Sequence, residues 1–120
     1  MDFDFDLFVV GGGSAGVRAA RMAGQRGARV ALAEADAMGG TCVNVGCIPK
    51  KLYSYAAGYG AAFEEARGYG WSAGEPQFDW NRLKAERARE IGRLNAVYTQ
   101  LLLKAGVQIM QGWASLAGPH

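Results

Sequence analysis

Two cysteines, Cys42 and Cys47, lie five positions apart in the chain. Neighbouring thiols can carry electrons by forming and breaking a disulfide, provided that their Cα atoms come within about 7 Å of each other. Residues five positions apart on a regular helix point away from each other, so the backbone between these two must leave the helical form. Gly46 supplies that freedom. The spacing therefore predicts a redox-active dithiol with Cys42 and Cys47 as its catalytic residues.

Two other roles for these thiols have to be weighed. A zinc ion takes about four ligands. Besides the two cysteines the sequence offers a single histidine, His120, so no metal site is predicted. A pair of inert, buried thiols is the remaining alternative. Lys50 and Lys51 follow closely, and their charge would favour a thiolate or another anion nearby. Two lysines after a proline are also typical of a solvated helix start.

A glycine fingerprint precedes the cysteines. Gly11, Gly13 and Gly16 fit G-x-G-x-x-G directly after the apolar run 7–10. The first glycine permits a tight turn, the second lets the backbone approach a pyrophosphate, and the third brings helix and strand together. Glu34 stands where an acidic side chain binds ribose hydroxyls and repels a 2′-phosphate. The pattern predicts a site for FAD or NAD rather than NADP, and a glycine turn with a surface glutamate is the alternative.

Of these two cofactors, FAD suits the dithiol better. A pyridine nucleotide delivers a hydride, whereas dithiol exchange begins with a thiolate. A flavin accepts the hydride and passes electrons to a disulfide. FAD is therefore the predicted cofactor beside the two cysteines.

The elements that must position these groups begin a Rossmann-like domain. The apolar run 7–10 is typical of a buried parallel strand, a helix follows over 14–25 with Gly27 as its end, and a second strand covers 29–34. This strand–turn–helix–strand order opens a doubly wound parallel sheet. The predicted fold class is therefore α/β, an incomplete Rossmann-like FAD-binding domain.

Longer helices follow this unit. We expect a helix over 48–66, a loop over 68–77, a helix from its N-cap Asp79 to Gly106, and a third strand over 107–110. The apolar stripe of the last helix comprises Trp80, Leu83, Ile91, Leu94, Tyr98 and Leu101. The chain accordingly divides into a dinucleotide unit at 1–34, a redox-cysteine loop and helix at 35–67, and a long amphipathic helix at 78–106.

Composition excludes several functions. The chain has 120 residues and a net charge of +2 that is spread along it, which argues against a nucleic-acid partner. No apolar segment approaches the roughly 20 residues that span a bilayer. The acidic start, residues 1–6, differs from a secretory signal. Two close thiols without an export signal favour the reducing cytoplasm.

The segment Gly39–Lys51 resembles the redox segment of the flavin-dependent disulfide reductases. The resemblance continues through Gly11–Ser14 near the start and through 78–80 and 94–98 near the end, and so covers almost the whole chain. It implies an FAD-binding domain and the reduction of a disulfide substrate.

Within that superfamily the residues Pro49-Lys50-Lys51 are similar to the glutathione and trypanothione branch. Arg18 and Arg21 lie three apart, hence on one helix face, and two arginines suit the anionic glutathione disulfide better than a cationic polyamine. A solvated basic stripe is the alternative for both. The resemblance therefore implies glutathione disulfide as substrate.

The resemblance also implies roles for single positions. Cys42 corresponds to the interchange thiol that attacks the substrate, Cys47 to the thiol against the flavin, and Lys50 to the lysine near the flavin's reactive nitrogen. The positions that correspond to FAD contacts are Ser14, Ala15, which replaces the commoner glycine, Glu34, Thr41 and the backbone near Ala114. The positions that correspond to the glutathione site are Ser14, Arg21 and Tyr98. Because Tyr98 lies on the apolar stripe, a core tyrosine is the alternative.

Several parts of such a reductase are not found in these residues. There is no second glycine fingerprint for NADPH, no interface domain, and no His-Pro motif, which His120 does not match. We therefore expect an N-terminal segment, inactive alone, of an enzyme that uses NADPH and forms a homodimer. The alternatives are a non-catalytic nucleotide-binding or thiol-sensing module, and a reductase of another small disulfide such as trypanothione or dihydrolipoamide.

Overall fold

A computed structural model describes residues 3–118. Its elements are β1 (Leu7–Val10), α1 (Ser14–Gly24), β2 (Val30–Glu34), α2 (Gly40–Asn44), α3 (Cys47–Gly68), α4 (Trp80–Lys104) and β3 (Gln108–Gln111). The three strands form one parallel sheet in the order β1-β2-β3. A parallel sheet whose strands are connected through helices confirms the predicted incomplete Rossmann-like α/β fold.

The central strand β2 carries the core. It pairs with β1 on one edge and β3 on the other, so its residues 30–33 are all buried. The buried core residues packed in one cluster are Val17, Ala20, Val30, Leu32, Met38, Leu102 and Val107. The core therefore lies where the sheet, α1 and the end of α4 meet.

The prediction that the first strand is buried is wrong for this chain. Leu7, Phe8 and Val10 are 37%, 45% and 67% exposed. The reason is that β1 pairs with β2 alone and forms an edge of the sheet. The apolar run predicts the strand correctly, but a strand is covered only where neighbouring elements lie against it.

The long helix α4 keeps most of its predicted apolar stripe, whose half-buried positions are Leu83, Ile91, Leu94, Tyr98 and Leu101. Its one fully buried side chain is Leu102, which the stripe did not include, whereas Trp80 is 52% exposed. Only the last turns of α4 lie on the core, while its first half runs beside α3. The predicted N-cap is confirmed, since the Asp79 carboxylate accepts a hydrogen bond of 3.0 Å from the backbone N–H of Arg82.

The helix α1 approaches α4 at a glycine that the sequence analysis did not single out. A Cβ added at Gly24 would lie 2.3 Å from the carbonyl oxygen of Ala105, so a larger residue would push the two helices apart. Within residues 3–118 no helix is both long and apolar enough to cross a membrane.

Candidate functional site

The glycine turn between β1 and α1 has the tight geometry that the fingerprint predicts. Gly11 has a φ of +99°, a region that favours glycine, and its N–H extends the sheet by donating to the carbonyl of Ala33 at 2.8 Å. A Cβ on Gly16 would lie 1.9 Å from the carbonyl oxygen of Gly11. Only glycine at position 16 lets the helix start this close to the strand.

Glu34 closes the other side of this turn. Its carboxylate accepts hydrogen bonds from the backbone N–H of Asp36 at 2.8 Å and of Gly12 at 2.7 Å. These bonds, the one from Asp36 first, hold the pKa of Glu34 below its ordinary value although partial burial acts against them. A carboxylate oxygen has more than one lone pair, so both oxygens can still accept a bond from a ribose hydroxyl. That Glu34 binds ribose stays a prediction.

The start of α1 offers donors for an anion. Gly13 is the N-cap, and the first intrahelical bond runs from the N–H of Val17 to the carbonyl of Gly13 at 2.9 Å. The N–H groups of Ser14 and Ala15 therefore have no acceptor within the helix, and both residues are exposed. With the Glu34 carboxylate nearby, this arrangement fits the pyrophosphate and ribose of a dinucleotide.

The segment before the cysteines is bonded directly to the glycine turn. The N–H of Gly39 donates to the carbonyl of Gly12 at 2.8 Å. Gly40 has a φ of +65°, and a Cβ there would lie 2.8 Å from the Cα of Gly13. This close backbone contact places α2, which carries Cys42, against the glycine turn of residues 11–16, called here the nucleotide turn.

The backbone between the two cysteines leaves the helical form. Cys42 lies in the short helix α2 and Cys47 begins α3, and between them Val45 and Gly46 have non-helical dihedral angles. A Cβ on Gly46 would lie 2.9 Å from the carbonyl oxygen of Thr41. The expected break is therefore present. The helix α2 was not predicted, because a helix of five residues is too short to show an amphipathic period.

The pKa of Cys42 depends on Cys47 and Lys50. The two cysteines are not joined by a disulfide in this structure, and Cys42 is half-buried whereas Cys47 is exposed. The pKa of Cys42 is raised, above all by a hydrogen bond with the Cys47 side chain and then by burial and by electrostatic repulsion from Cys47. The backbone N–H of Cys47 and the charge of Lys50 act in the opposite direction. The Cys47 side chain and the Lys50 charge therefore shift the pKa of Cys42 in opposite directions.

Lys50 is exposed one turn into α3, where its own N–H donates to the carbonyl of Gly46 at 3.0 Å. It also lines a cavity of about 580 Å³ between α3 and α4. The opposite walls of this cavity include Arg87 and Asn95, and none of the residues that line it is acidic. The lysine thus lies between the thiols and an open, positively charged cavity.

The residues expected at the substrate site lie on α1 and α4, which contact each other. Ser14 and Arg18 are exposed, while Arg21 is half-buried and its Nε has no hydrogen-bond partner among residues 3–118. Tyr98 packs against the core cluster, which agrees with the alternative of a core tyrosine. A buried guanidinium nitrogen without a partner is an unsatisfied donor, which is uncommon in folded proteins.

The remaining predicted positions are more scattered. Thr41 is exposed on α2. Ala114 lies after β3 and lines a cavity of about 660 Å³ with Phe8 and Val10 of β1. His120 lies outside the described residues. Within the described part of the chain no group of three or more His, Cys, Asp or Glu side chains could hold a metal.

Asn44 of the redox segment and Asn95, which donates to it, were not predicted as functional residues. The Nδ2 of Asn95 donates to the carbonyl of Met38 at 2.6 Å and to the Oδ1 of Asn44 at 2.9 Å. Asn95 sits beside Leu94 on the half-buried face of α4. An amide between apolar stripe positions is the signal that could have marked it, since such a group needs a partner when it is buried.

Comparison with known proteins identifies the family of this chain. The sequence profile of the family described as pyridine nucleotide-disulphide oxidoreductase matches residues 5–120. Similar relatives are the glutathione reductases of Burkholderia cepacia, 52% identical over 118 residues, and of Nostoc sp., 45% identical over 120. The chloroplastic/mitochondrial glutathione reductase of Pisum sativum is 41% identical over 129.

These alignments cover 98–100% of the chain but only 23–26% of each relative. The chain spans about a quarter of the length of the curated relatives it matches. It belongs to the pyridine nucleotide-disulphide oxidoreductase family.

Proposed function

We propose that this chain forms the flavin-and-dithiol part of an NADPH-dependent reductase of glutathione disulfide. The observation that carries the proposal is the direct contact between the nucleotide turn and the redox segment. Gly39 and Gly40 bond to and pack on Gly12 and Gly13, and Cys42 follows two positions later, with its pKa raised by the Cys47 side chain. A dinucleotide held by the turn would therefore lie beside the dithiol.

The residues that would hold FAD are those of the turn. The free N–H groups of Ser14 and Ala15 would bind the pyrophosphate, and Glu34 the ribose. Thr41, Lys50 and the backbone near Ala114 would supply further contacts. When bound, FAD passes an electron pair from NADPH, which the complete enzyme binds elsewhere, to the disulfide.

The dithiol supplies the exchange chemistry. The thiolate of Cys42 attacks one sulfur of glutathione disulfide, the substrate S–S bond breaks, and one glutathione leaves as a thiolate that takes up a proton. The thiolate of Cys47 then attacks the Cys42 sulfur and releases the second glutathione. In forming the Cys42–Cys47 disulfide, the dithiol has given two electrons to the substrate. Because the pKa of Cys42 is raised, the charge of Lys50 matters for stabilising the attacking thiolate.

Charge favours glutathione among the small disulfides. Arg21 has a buried Nε without a partner in the described part of the chain, and glutathione carries carboxylates that a guanidinium binds well. Ser14 and Tyr98 would complete this side of the site. The complete enzyme is proposed to be a cytoplasmic homodimer, supported by the resemblance and by a cysteine pair suited to a reducing compartment.

The proposed exchange can be tested by trapping its intermediate. The reduced chain is mixed with glutathione disulfide, and the products are mapped by peptide mass spectrometry. The unchanged chain should end with a Cys42–Cys47 disulfide. Cys47→Ser should accumulate glutathione on Cys42, because the second thiol that releases it is missing, and Cys42→Ser is the matched control. Failure of the unchanged chain to form the internal disulfide would contradict the proposal.

A further inference from the structure

Two asparagine side chains join the long helix to the redox segment. Asn95 of α4 donates to the carbonyl of Met38 at 2.6 Å and to the Oδ1 of Asn44 at 2.9 Å. Asn44 in turn donates to the carbonyl of Gly40 at 2.9 Å. Both amides are half-buried. The pair, called here the amide clamp, therefore connects residues that lie 51 positions apart in the chain.

The amide clamp lies at the stretch of backbone that connects Cys42 to Cys47. Asn44 is the last residue of α2, two positions after Cys42 and three before Cys47. Among the side-chain hydrogen bonds of residues 3–118, the two from Asn95 are the ones that tie α4 to this segment. A five-residue helix is marginal in isolation, so α2 needs such ties to keep its place.

We propose that Asn95 and Asn44 are positioning residues for the dithiol. They hold α2 against α4 so that Cys42 stays within reach of Cys47, and in the described part of the chain neither amide hydrogen-bonds to a cysteine. The inference rests on the proposed function, in which Cys47 attacks Cys42 and expels glutathione. Restraining the two thiols raises their effective concentration toward each other, and this favours the internal disulfide over two mixed disulfides with glutathione.

The experiment measures the equilibrium between dithiol and disulfide in the folded chain. The 120-residue chain is equilibrated in buffers of defined ratios of reduced to oxidised glutathione, quenched, and its oxidised fraction measured by mass spectrometry. The same chain in concentrated guanidinium chloride gives the value for unrestrained thiols. Asn95→Ala and Asn44→Ala should each lower the equilibrium constant about three- to tenfold, the loss expected for a hydrogen bond. Asn81→Ala, an exposed amide on the same helix, should leave it unchanged.

Two further variants separate positioning from packing and from general stability. Asn95→Asp keeps the size of the side chain but removes its donor and sets a negative charge against two oxygens, so it should lower the constant at least as far as Asn95→Ala. Leu102→Ala weakens the core without touching the amide clamp, so it should leave the constant unchanged while the chain remains folded. The double variant Asn44→Ala/Asn95→Ala should lose less than the product of the two single losses, because both single variants remove the same Asn95–Asn44 hydrogen bond.

The outcomes are distinguishable. A normal constant for Asn95→Asp, an equal loss for Leu102→Ala, or a value for the unchanged chain that matches the denatured one would each overturn the amide clamp. If the unchanged folded chain forms no Cys42–Cys47 disulfide at any glutathione ratio, the proposed function fails instead.

Discussion

The carboxylate of Glu34 accepts hydrogen bonds from the backbone N–H groups of Gly12 and Asp36. It therefore braces the nucleotide turn from within the protein before any ligand is considered. Residue by residue, the site depends on such backbone contacts: at Gly16 and Gly40 a side chain would collide with backbone atoms. The chemistry is thus set by a few atoms that the glycines allow to come close.

The role of Glu34 predicts a pH dependence of stability. Because the pKa of Glu34 in the folded chain lies below its ordinary value of 4.5, its stabilising contribution is present above that value and is lost as the pH falls through the folded pKa. Glu34→Gln leaves one backbone N–H without an acceptor and should lower the free energy of unfolding at neutral pH by about 1–2 kcal/mol. It should also flatten the acid dependence. Urea denaturation across an acidic pH series measures both, with the exposed Glu65→Gln as the control.

The Cys42 thiol is predicted to respond in opposite directions to the loss of the Cys47 side chain and to the loss of the Lys50 charge. Cys47→Ala removes both the side-chain hydrogen bond and the repulsion that raise the pKa of Cys42, so the alkylation of Cys42 should begin at lower pH. Lys50→Met removes a favourable charge, so alkylation should begin at higher pH than in the unchanged chain. Peptide mass spectrometry of iodoacetamide-treated samples gives the two profiles.

Lys51→Met is the matched control for Lys50→Met. Lys51 lies over the Tyr55 ring at 4.9 Å and is not among the groups that shift Cys42. An equal displacement of the pH profile by both lysine variants would show that general charge, rather than the placement of Lys50, acts on the thiol.

At the scale of elements, the decisive feature is the break between α2 and α3. A continuous helix would direct Cys42 and Cys47 away from each other, whereas the break at residues 45–46 places them on two separate helices, where the Cys47 side chain raises the pKa of Cys42. The break in turn depends on the close approach of Gly46 to the carbonyl of Thr41. One small residue therefore decides whether two helices can present a dithiol.

Gly46→Ala tests this dependence, and Gly58, which lies within α3, is the glycine used for comparison. A Cβ at Gly46 would lie 2.9 Å from a backbone oxygen, whereas a Cβ at Gly58 would meet nothing within 4 Å. Gly46→Ala should therefore destabilise the chain by about 1–3 kcal/mol. Gly58→Ala should stabilise it by about 0.5–1 kcal/mol through helix propensity. Thermal unfolding followed by circular dichroism measures both, and a stabilising Gly46→Ala would refute the steric account.

Over the whole molecule, the redox segment is bonded to the nucleotide turn within an elongated body. The chain is 73 Å long, and its core lies where α1 and the end of α4 cover the sheet. Three of the four apolar residues of β1, by contrast, are exposed. A site of this kind depends on the sheet for its position and is built from the end of β2, the short helix α2 and the starts of α1 and α3.

We expect the chain to carry out thiol–disulfide exchange with glutathione disulfide but no NADPH-dependent turnover. The sequence contains one glycine fingerprint and no His-Pro motif, so the chain with added FAD should oxidise NADPH in the presence of glutathione disulfide no faster than FAD alone. Absorbance at the NADPH band measures this, with the glutathione reductase of Burkholderia cepacia as the positive control. Oxidation that requires both the chain and glutathione disulfide would contradict the prediction.

Much of the fold could be predicted from local patterns. Turn glycines, apolar runs and the cap at Asp79 act over a few residues, so β1 was predicted at its observed bounds and the other strands and long helices within two residues or so. Burial was harder, because it depends on what covers an element. The exposure of β1 and the deep position of Leu102 follow from neighbours that are remote in the chain.

The order of glycines, acid and cysteines along the chain was enough to identify a dinucleotide turn followed by a dithiol, because each signal is local and chemically specific. Tertiary structure decided the contact of Gly40 with Gly13, the short helix that carries Cys42, and the bonds from Asn95 to the redox segment. These join residues up to 57 positions apart. Such pairings arise only when the sheet and helices have packed, since no local pattern encodes which distant carbonyl an amide will meet.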